Sequence, residues 1–575
     1  MNKQTTLLSL VKTTLLFILA APLFLGCNSA NKRNQLGKGN IPYGDTLCFF
    51  NNSPIGKLFP LYSTDIYSHR VSSQLFETLL ILDPQSSEVV GNLAKKVVTS
   101  ADNKKIKLFL REDVFFHEDP CFGGNSNKMT AQDVKFSLDF ACSSNQLNNS
   151  GKVLSEKIIG GEENYSSKKI HLGSGVSGIK IINDYCLEIN LKEPYVNFQK
   201  LLTSTAYGIF SKNAYKYYKT EIVNHPIGTG PFILGKKTNN NILLRYNPNY
   251  WKIDAYGNKL PYLNAIIIRN GKTKKEEFAL FRQKQTDIVF EVPSESLNYL
   301  LGSVQDAQKG GNIMHRVLVS PGASISSIAF NLNMGPFKKI TIRKAIDLVI
   351  NRNQLCNNSL NGDGAPANRG FTPPSKYYKN EQVSERKYDI AEAKRLLAIS
   401  GYNEKTPLSI KLFIGGGEES KAYKWCKYIC DELRNQLGIK VQIILGSFTE
   451  RENAIANNTV DAWNVGWAAD YPDPEGYFSL FYVKNKTSTS SSKSLFPILS
   501  SLEYNQYYYQ ATLEKDRVKR NNLFNKCDSI IKSEAVILPI LIDDFVAIIN
   551  LRVRNFKLSP LGLVDFTSIY LKELS

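Results

Sequence analysis

The chain has 575 residues, of which 42% are hydrophobic and 21% charged, and its formal net charge is +19. That apolar content excludes a disordered chain, and the length excludes one small domain, so two or three globular units are expected. The positive charge taken alone would admit a nucleic-acid partner, but the start of the chain argues against one.

Residues 1–27 carry Lys3 and Lys12, then an apolar run from Leu15 to Gly26 that ends at Cys27. This is the layout of an export signal, and it is too short for a membrane-spanning helix, which needs roughly 20 apolar residues. An exported protein does not meet nucleic acid, so the lysines are expected to keep it soluble near an anionic membrane surface. Phe24-Leu25-Gly26-Cys27 resembles a lipobox, which makes Cys27 the expected lipid-modified N-terminus. An ordinary cleaved signal with an incidental cysteine is the alternative. Residues 28–44 are polar and read as a flexible tether.

Eight cysteines follow, at 48, 121, 142, 186, 356, 426, 430 and 527. An even count in an oxidising compartment permits disulfides without fixing their connectivity. Cys426 and Cys430 fall on one face of an expected helix and read as buried thiols.

Along the chain, Ser72–Leu82 has apolar positions at helical spacing before an Asp83-Pro84 turn. Lys104–Phe116 alternates like half-buried strands, and Thr130 with Asp133 marks a helix start. Residues 143–178, rich in Ser, Asn, Gly and Lys, read as an exposed insertion. Ile342, Ala345, Ile346, Val349 and Ile350 form one apolar helical face, and Asp389 with Glu392 opens a helix ending at Gly401. Trp425, Ile429, Leu433 and Leu437 line a further helix, Gly438 stops it, and IKVQII reads as a strand of a βαβ unit.

The stretch GWAADYPDPEGYF, Gly466 to Phe478, ends a strand in a carboxylate and then forbids a helix with Pro472 and Pro474. Alternation from Ala462 puts Trp463, Val465 and Trp467 on one face, and Ala462, Asn464, Gly466, Ala468 and Asp470 on the other. The second face is nearly bare. Such a strand admits close approach by another extended chain, whose terminal ammonium would meet Asp470. A core strand with an Asp-Pro turn fits these residues equally well.

Several blocks, in order, carry a resemblance: Val89–Ala94, Met129–Val134, His225–Phe232 (HPIGTGPF), Tyr246–Leu263 (YNPNYWKIDAYGNKLPYL), Ile342–Ile346 with Asn351-Arg352, and Gly466–Phe478. Together they resemble the family 5 extracellular solute-binding proteins of oligopeptide and dipeptide ABC importers. The resemblance implies an α/β, two-lobed periplasmic-binding-protein-like fold with an extra subdomain, as in the large peptide-binding members. Residues 45–70, 176–314 and 531–575 would form lobe I, 71–175 its inserted subdomain, and 315–530 lobe II. It also implies that Asp470 takes a peptide's α-amino group. The backbone at Gly466 and Ala468, flanked by Asn464 and Trp467, would pair with the ligand, and a strand near Ser53 to Leu58, at Ile55 and Gly56, would do so from the other lobe. The loop Gly415–Ser420 lacks the basic residue that fixes a dipeptide's carboxylate in dipeptide-binding members. Longer peptides therefore fit better, unless Arg369 or Lys421 supplies that anchor.

Other chemistry has less support. His117, Glu118, Asp119 and Cys121 form the one local group of metal-ligand types, and such a loop is more often merely polar. Asp470 and Asp473 sit on one proline turn, a poor glycosidase pair, and no GxSxG is present. Tyr504, Tyr507, Tyr508 and Tyr509 would stack on a ligand or, more commonly, belong to an amphipathic helix. The expected function is a monomeric, lipid-anchored, extracytoplasmic peptide-capture protein that serves a membrane permease, uses no cofactor or metal, and is not an enzyme. A binder of a metal chelate, haem or glycan, and less so a hydrolase, are the alternatives.

Overall fold

Asp65 starts the first long helix, α1 (Ile66–Leu75), by accepting a hydrogen bond from the Ser68 N–H at 2.9 Å. The computed structural model describes residues 35–51, 55–63, 65–83, 86–167, 175–270, 273–290, 315–469, 471, 473–483, 495–559 and 562–573. Cys27, Ser53, His171, Asp470 and Pro472 lie outside them.

The expected helix over Ser72–Leu82 is not what forms. Helix α1 ends at Leu75, and Leu80–Leu82 is a strand paired antiparallel with Val89–Gly91. Phe76 turns to extended backbone after α1, and the Leu79 carbonyl accepts from the Ala94 N–H at 3.0 Å, so the main chain here pairs with the returning segment instead of continuing a helix.

The chain then builds a four-stranded antiparallel sheet from β2 (Ala94–Thr99), β3 (Lys105–Leu110), β4 (Ile179–Asn183) and β5 (Cys186–Asn190), in the order β2-β3-β5-β4. Helix α2 (Ala131–Ala141) lies between β3 and β4 in sequence, and Asp133 receives the Thr130 N–H at 3.1 Å at its start. The sheet draws strands from both sides of residue 175, so the expected subdomain boundary there is displaced past Asn190. Residues 143–178 are also not a simple exposed insertion. Leu147, Leu154 and Ile158 are buried in the first core, and the Asn148 amide donates to the Phe140, Ala141 and Ser143 carbonyls after α2. The polar composition there serves as capping.

Among the described residues the main sheet has eleven strands. Its named members are β1 (Thr46–Asn51), β6 (Phe232–Lys237), β7 (Asn241–Tyr246), β8 (Ala265–Asn270), β9 (Ile288–Phe290), β10 (His315–Phe330), β11 (Ser409–Gly415), β12 (Lys440–Gly446), β13 (Ala462–Ala468) and β14 (Ile537–Asn550). They run in the order β6-β7-β8-β1-β9-β14-β10-β13-β11-β12, and Ala365–Pro366 pairs on β14. Strands β10 and β14 pair antiparallel from His315 opposite Asn550 to Ala329 opposite Ile537.

These two long strands join two cores. At one end Ala547 and Ile549 pack with Leu47, Phe49, Ile266 and Ile288. At the other, Ile537, Leu538, Ile540 and Leu541 pack within the second lobe. The expected division at residue 530 therefore corrects to a crossing inside β14, because the two ends of that strand are buried in different cores.

The second lobe follows its sequence periodicity closely. In α3 (Ile340–Leu348) and just after it, Ile342, Ala345, Ile346, Val349 and Ile350 are all buried. Asp389 accepts from the Glu392 N–H at 2.9 Å to start α4 (Ile390–Ile399). Helix α5 (Lys421–Leu437) buries Trp425, Ile429 and Leu433 and stops at Gly438, whose φ of 65° suits glycine. Strands β11 and β12 on either side of it are parallel. Helices α6 (Leu502–Leu513) and α7 (Arg517–Glu534) close the opposite face. All eight cysteines from Cys48 onward are free thiols, with Cys426 and Cys430 buried.

Candidate functional site

Strand β13 is paired on one edge along its length, with Gly466 opposite Ser326 and Ala468 opposite Ser324 on β10. On its other edge β11 pairs only at Ala462 and Trp463. A fork opens there. The Asn464 Oδ1 accepts the Gly415 N–H at 2.7 Å, and the Asn464 carbonyl accepts from the Arg451 guanidinium at 2.8 Å. Those two bonds turn β11 away and cap the last paired position.

Beyond the fork the pleat decides what is presented. The Asn464 carbonyl points away from β10, and main-chain groups alternate sides with a period of two, so Gly466 and Ala468 turn theirs to the same unpaired edge. Both residues are exposed. A Cβ placed on Gly466 would meet only the Ile325 carbonyl oxygen, at 3.9 Å. The opposite face is core, since Trp463, Val465 and Ala469 are buried together and Trp467 packs against them. The Trp467 indole donates to the Gly476 carbonyl at 2.9 Å and meets Phe496 edge-on at 5.6 Å. Asn464 and Trp467 are thus engaged inside their own lobe, whereas Gly466 and Ala468 are open.

From the other lobe, Ile55 is buried and Gly56 is exposed with nothing within 4 Å of an added Cβ. The segment Ile55–Leu58 is irregular rather than a strand: the Leu58 N–H is used by the Val223 carbonyl, and the Gly56 carbonyl accepts from the Lys237 ammonium.

Beside the open edge lies a charged group that the sequence reading did not assemble. Ser326, opposite Gly466, donates to Asp543 at 2.7 Å, and the Lys421 ammonium lies 2.8 Å from both Asp543 and Asp363. Burial alone would push the Lys421 ammonium down, but Asp543 and Asp363 together hold it above its ordinary value. Arg369 is taken as well, by Glu385 at 2.7 Å and the Val383 carbonyl at 2.8 Å. The two candidate carboxylate anchors are both neutralised by their own lobe.

Asp473 is an internal ion-pair residue. It is completely buried and receives Arg520 through two nitrogens at 2.7 and 3.0 Å, Lys200 at 2.8 Å and the Asn197 amide at 2.9 Å. Burial would raise its carboxyl, but Arg520 and then Lys200 hold it well below the usual carboxylate range. Nearby Glu475 accepts from the Tyr195 hydroxyl at 2.7 Å, Asn197 at 2.9 Å, Tyr471 at 3.2 Å and Tyr508 at 3.3 Å. Tyr504 and Tyr508 are accordingly core residues of α6, while Tyr509 is exposed. Of the partners of Asp473, Asn197 and Lys200 lie more than 270 residues away in the sequence.

The loop at 117–121 is also structural. The His117 ring is buried with Nε2 3.0 Å from the Gly230 carbonyl, and Asp119 accepts from the Cys121 N–H and the Tyr218 hydroxyl at 2.9 Å each. Among the described residues, no three His, Cys, Asp or Glu side chains are grouped to hold a metal ion.

Two cores joined by paired crossing strands, with an unpaired strand edge where they meet, define a two-lobed binding protein of the periplasmic type. Residues 88–489 match the family model described as "Bacterial extracellular solute-binding proteins, family 5 Middle", and the chain belongs to that family. Among curated relatives, it is 23% identical to the oligopeptide-binding protein OppA of Bacillus subtilis over 562 residues, covering 95% of each chain. It is 23% identical to di/tripeptide-binding protein 1 of Pseudomonas aeruginosa over 527 residues, covering 90% of this chain and 92% of the relative. The solved structure of Helicobacter pylori DppA in complex with the peptide STSA superposes with a TM-score of 0.77 at 21% identity, covering 92% of this chain and 99% of that one.

Proposed function

We propose that this protein is the substrate-binding component of an ABC importer, one that captures extracytoplasmic peptides between its lobes and delivers them to a membrane permease. The observation that carries this reading is the unpaired edge of β13 at Gly466 and Ala468. An extended peptide laid there gains main-chain hydrogen bonds whatever its sequence. Asp470, two residues further along the sequence, supplies the carboxylate that takes the peptide's ammonium. Because Lys421 and Arg369 are already paired, a ligand carboxylate finds no free anchor in either, which favours oligopeptides held by their backbone over dipeptides held at both ends. The protein acts as a monomer and is tethered to the membrane through a lipid on Cys27.

Isothermal titration with composition-matched peptides of graded length, in free and N-acetylated forms, tests the reading. Peptides of roughly four or more residues should outcompete dipeptides, since strand addition rewards each added pair until the cleft is filled. Acetylation and Asp470→Asn should each weaken binding by about 2–5 kcal/mol if the pair is desolvated. Tightest binding by dipeptides would overturn the length claim. Equal binding of free and acetylated peptides would assign Asp470 to the turn. Thermal stabilisation by haem, a metal chelate or an oligosaccharide, with none by peptides, would replace the ligand class.

A further inference from the structure

The turn that follows the open strand edge is fastened to both lobes at once. Asp473 and Glu475 are buried, at 1% and 3% exposure, and their partners divide between two bodies. Arg520 and Tyr508 stand on α7 and α6, in the same lobe as the turn. Tyr195, Asn197 and Lys200 belong to the other lobe, where Tyr195 packs in the first core with the neighbouring Phe198 and Leu201. Asn197 bridges both carboxylates, at 2.9 Å to each. Tyr471 follows β13 in the chain yet packs into the first core across the boundary.

We propose that Asp473 and Glu475 form a latch that holds the lobes shut over the β13 edge, with Arg520 as its permanent half and Tyr195, Asn197 and Lys200 as its movable half. This rests on the binding reading above and deepens it by naming positioning residues that act through the strand rather than on the ligand. The charges explain why the arrangement is reversible. Within its own lobe the Asp473–Glu475 pair faces one guanidinium, that of Arg520, and closure brings the Lys200 ammonium to Asp473 as a second cation. On opening, Asp473 keeps its two-nitrogen contact with Arg520 and is never left without a counterion, while Lys200 and Asn197 return to water. The rim adds contacts of the same kind. Lys376 donates to the Ser86 carbonyl at 2.6 Å, Tyr377 donates to the Ser87 carbonyl at 2.7 Å, and the Lys200 ammonium lies 4.1 Å from the centre of the Tyr377 ring. Because the turn begins within three residues of Ala468, fastening it also fixes where the open edge ends.

The test uses the full protein and the double variant Asn197→Ala/Lys200→Gln, which removes two of the three residues of the movable half and leaves Tyr195 and Arg520 in place. Small-angle scattering is recorded with and without an alanine tetrapeptide, and the dissociation rate of that peptide is followed by stopped flow. The double variant should have a larger radius of gyration and release the peptide about 10- to 100-fold faster, as expected for losing the Asn197 bonds to both carboxylates and the Lys200 bond to Asp473, with little change in association rate. Lys200→Arg should retain the slow release, which a purely structural role would not distinguish from Lys200→Gln. Identical scattering and identical release in parent and double variant would overturn the latch. If the peptide fails to bind the parent, the binding reading is at fault, and the ligand-free scattering decides the latch: a variant no more open than the parent overturns it.

Discussion

Replacing Gly466 by valine separates what the fold needs from what a ligand needs. Gly466 lies in β13 with ordinary extended backbone and is not among the positive-φ glycines. An added Cβ would meet nothing nearer than the Ile325 carbonyl oxygen at 3.9 Å, an ordinary van der Waals distance. A glycine in a strand costs about 0.5–1 kcal/mol relative to a residue with a side chain, through its greater freedom when unfolded. Gly466→Val should therefore leave stability unchanged or raise it by about that amount. Its two methyl groups would stand on the bare face beside the open edge. If a peptide backbone packs there, the intrusion should weaken binding by about 1–3 kcal/mol, roughly 5- to 150-fold in Kd. Urea denaturation and isothermal titration on the same preparations give both numbers. A fall in stability would mean the glycine serves the fold, and a rise in stability with unaltered affinity would remove the bare face from the binding site.

Three more outcomes follow from the same geometry. Burial raises the Asp528 carboxyl from 3.8 to about 6, even though the Phe371 N–H, the Tyr378 hydroxyl and the Thr372 N–H favour its charge. The native protein thus keeps a proton that the unfolded chain has released, and this group's contribution is full below about pH 4 and lost as pH rises through 6, by about 3 kcal/mol. Asp528→Asn should flatten that decline in denaturation midpoints between pH 4 and 6, and an unchanged slope would assign it to other groups. Glu77 accepts from Thr229, Tyr250 and Trp251 at 2.8 to 3.0 Å with Lys252 at 3.4 Å, so Glu77→Ala should lower stability by about 3–5 kcal/mol; a loss under 1 kcal/mol in urea would show the cluster to be dispensable. Cys27→Ser should release the protein from membranes and abolish incorporation of labelled fatty acid, and a variant that fractionates like the parent would exclude the lipid anchor.

The elements that were legible in the sequence are those whose burial repeats with a simple period. Helix α5 announced itself through Trp425, Ile429 and Leu433, with Gly438 to end it. The two faces of β13 followed from alternation, because Trp463 and Val465 are large where Ala462, Asn464, Gly466 and Ala468 are small or polar. Elsewhere the local pattern was ambiguous. Ser72–Leu82 has helical spacing, yet pairing with Val89–Gly91 made its end a strand. Residues 143–178 look like solvent-facing chain, yet Leu147, Leu154 and Ile158 found the core because Asn148 capped the carbonyls around them.

By itself the sequence determined the α/β alternation, the bare strand ending near Asp470, and the family pattern spread over most of the chain. Tertiary structure alone decided which groups meet. Asp473 reads as a turn residue until Asn197 and Lys200, more than 270 residues away, are brought to within 3 Å of it. Lys421 read as a possible anchor until Asp363 and Asp543 enclosed it. The open edge of β13 likewise depends on Arg451 and Gly415 capping Asn464 and turning β11 aside. Local periodicity follows from the geometry of one helix or strand and is written in neighbouring residues. The pairing of buried charges depends on which distant segments the crossing strands β10 and β14 hold together, and no local pattern encodes that.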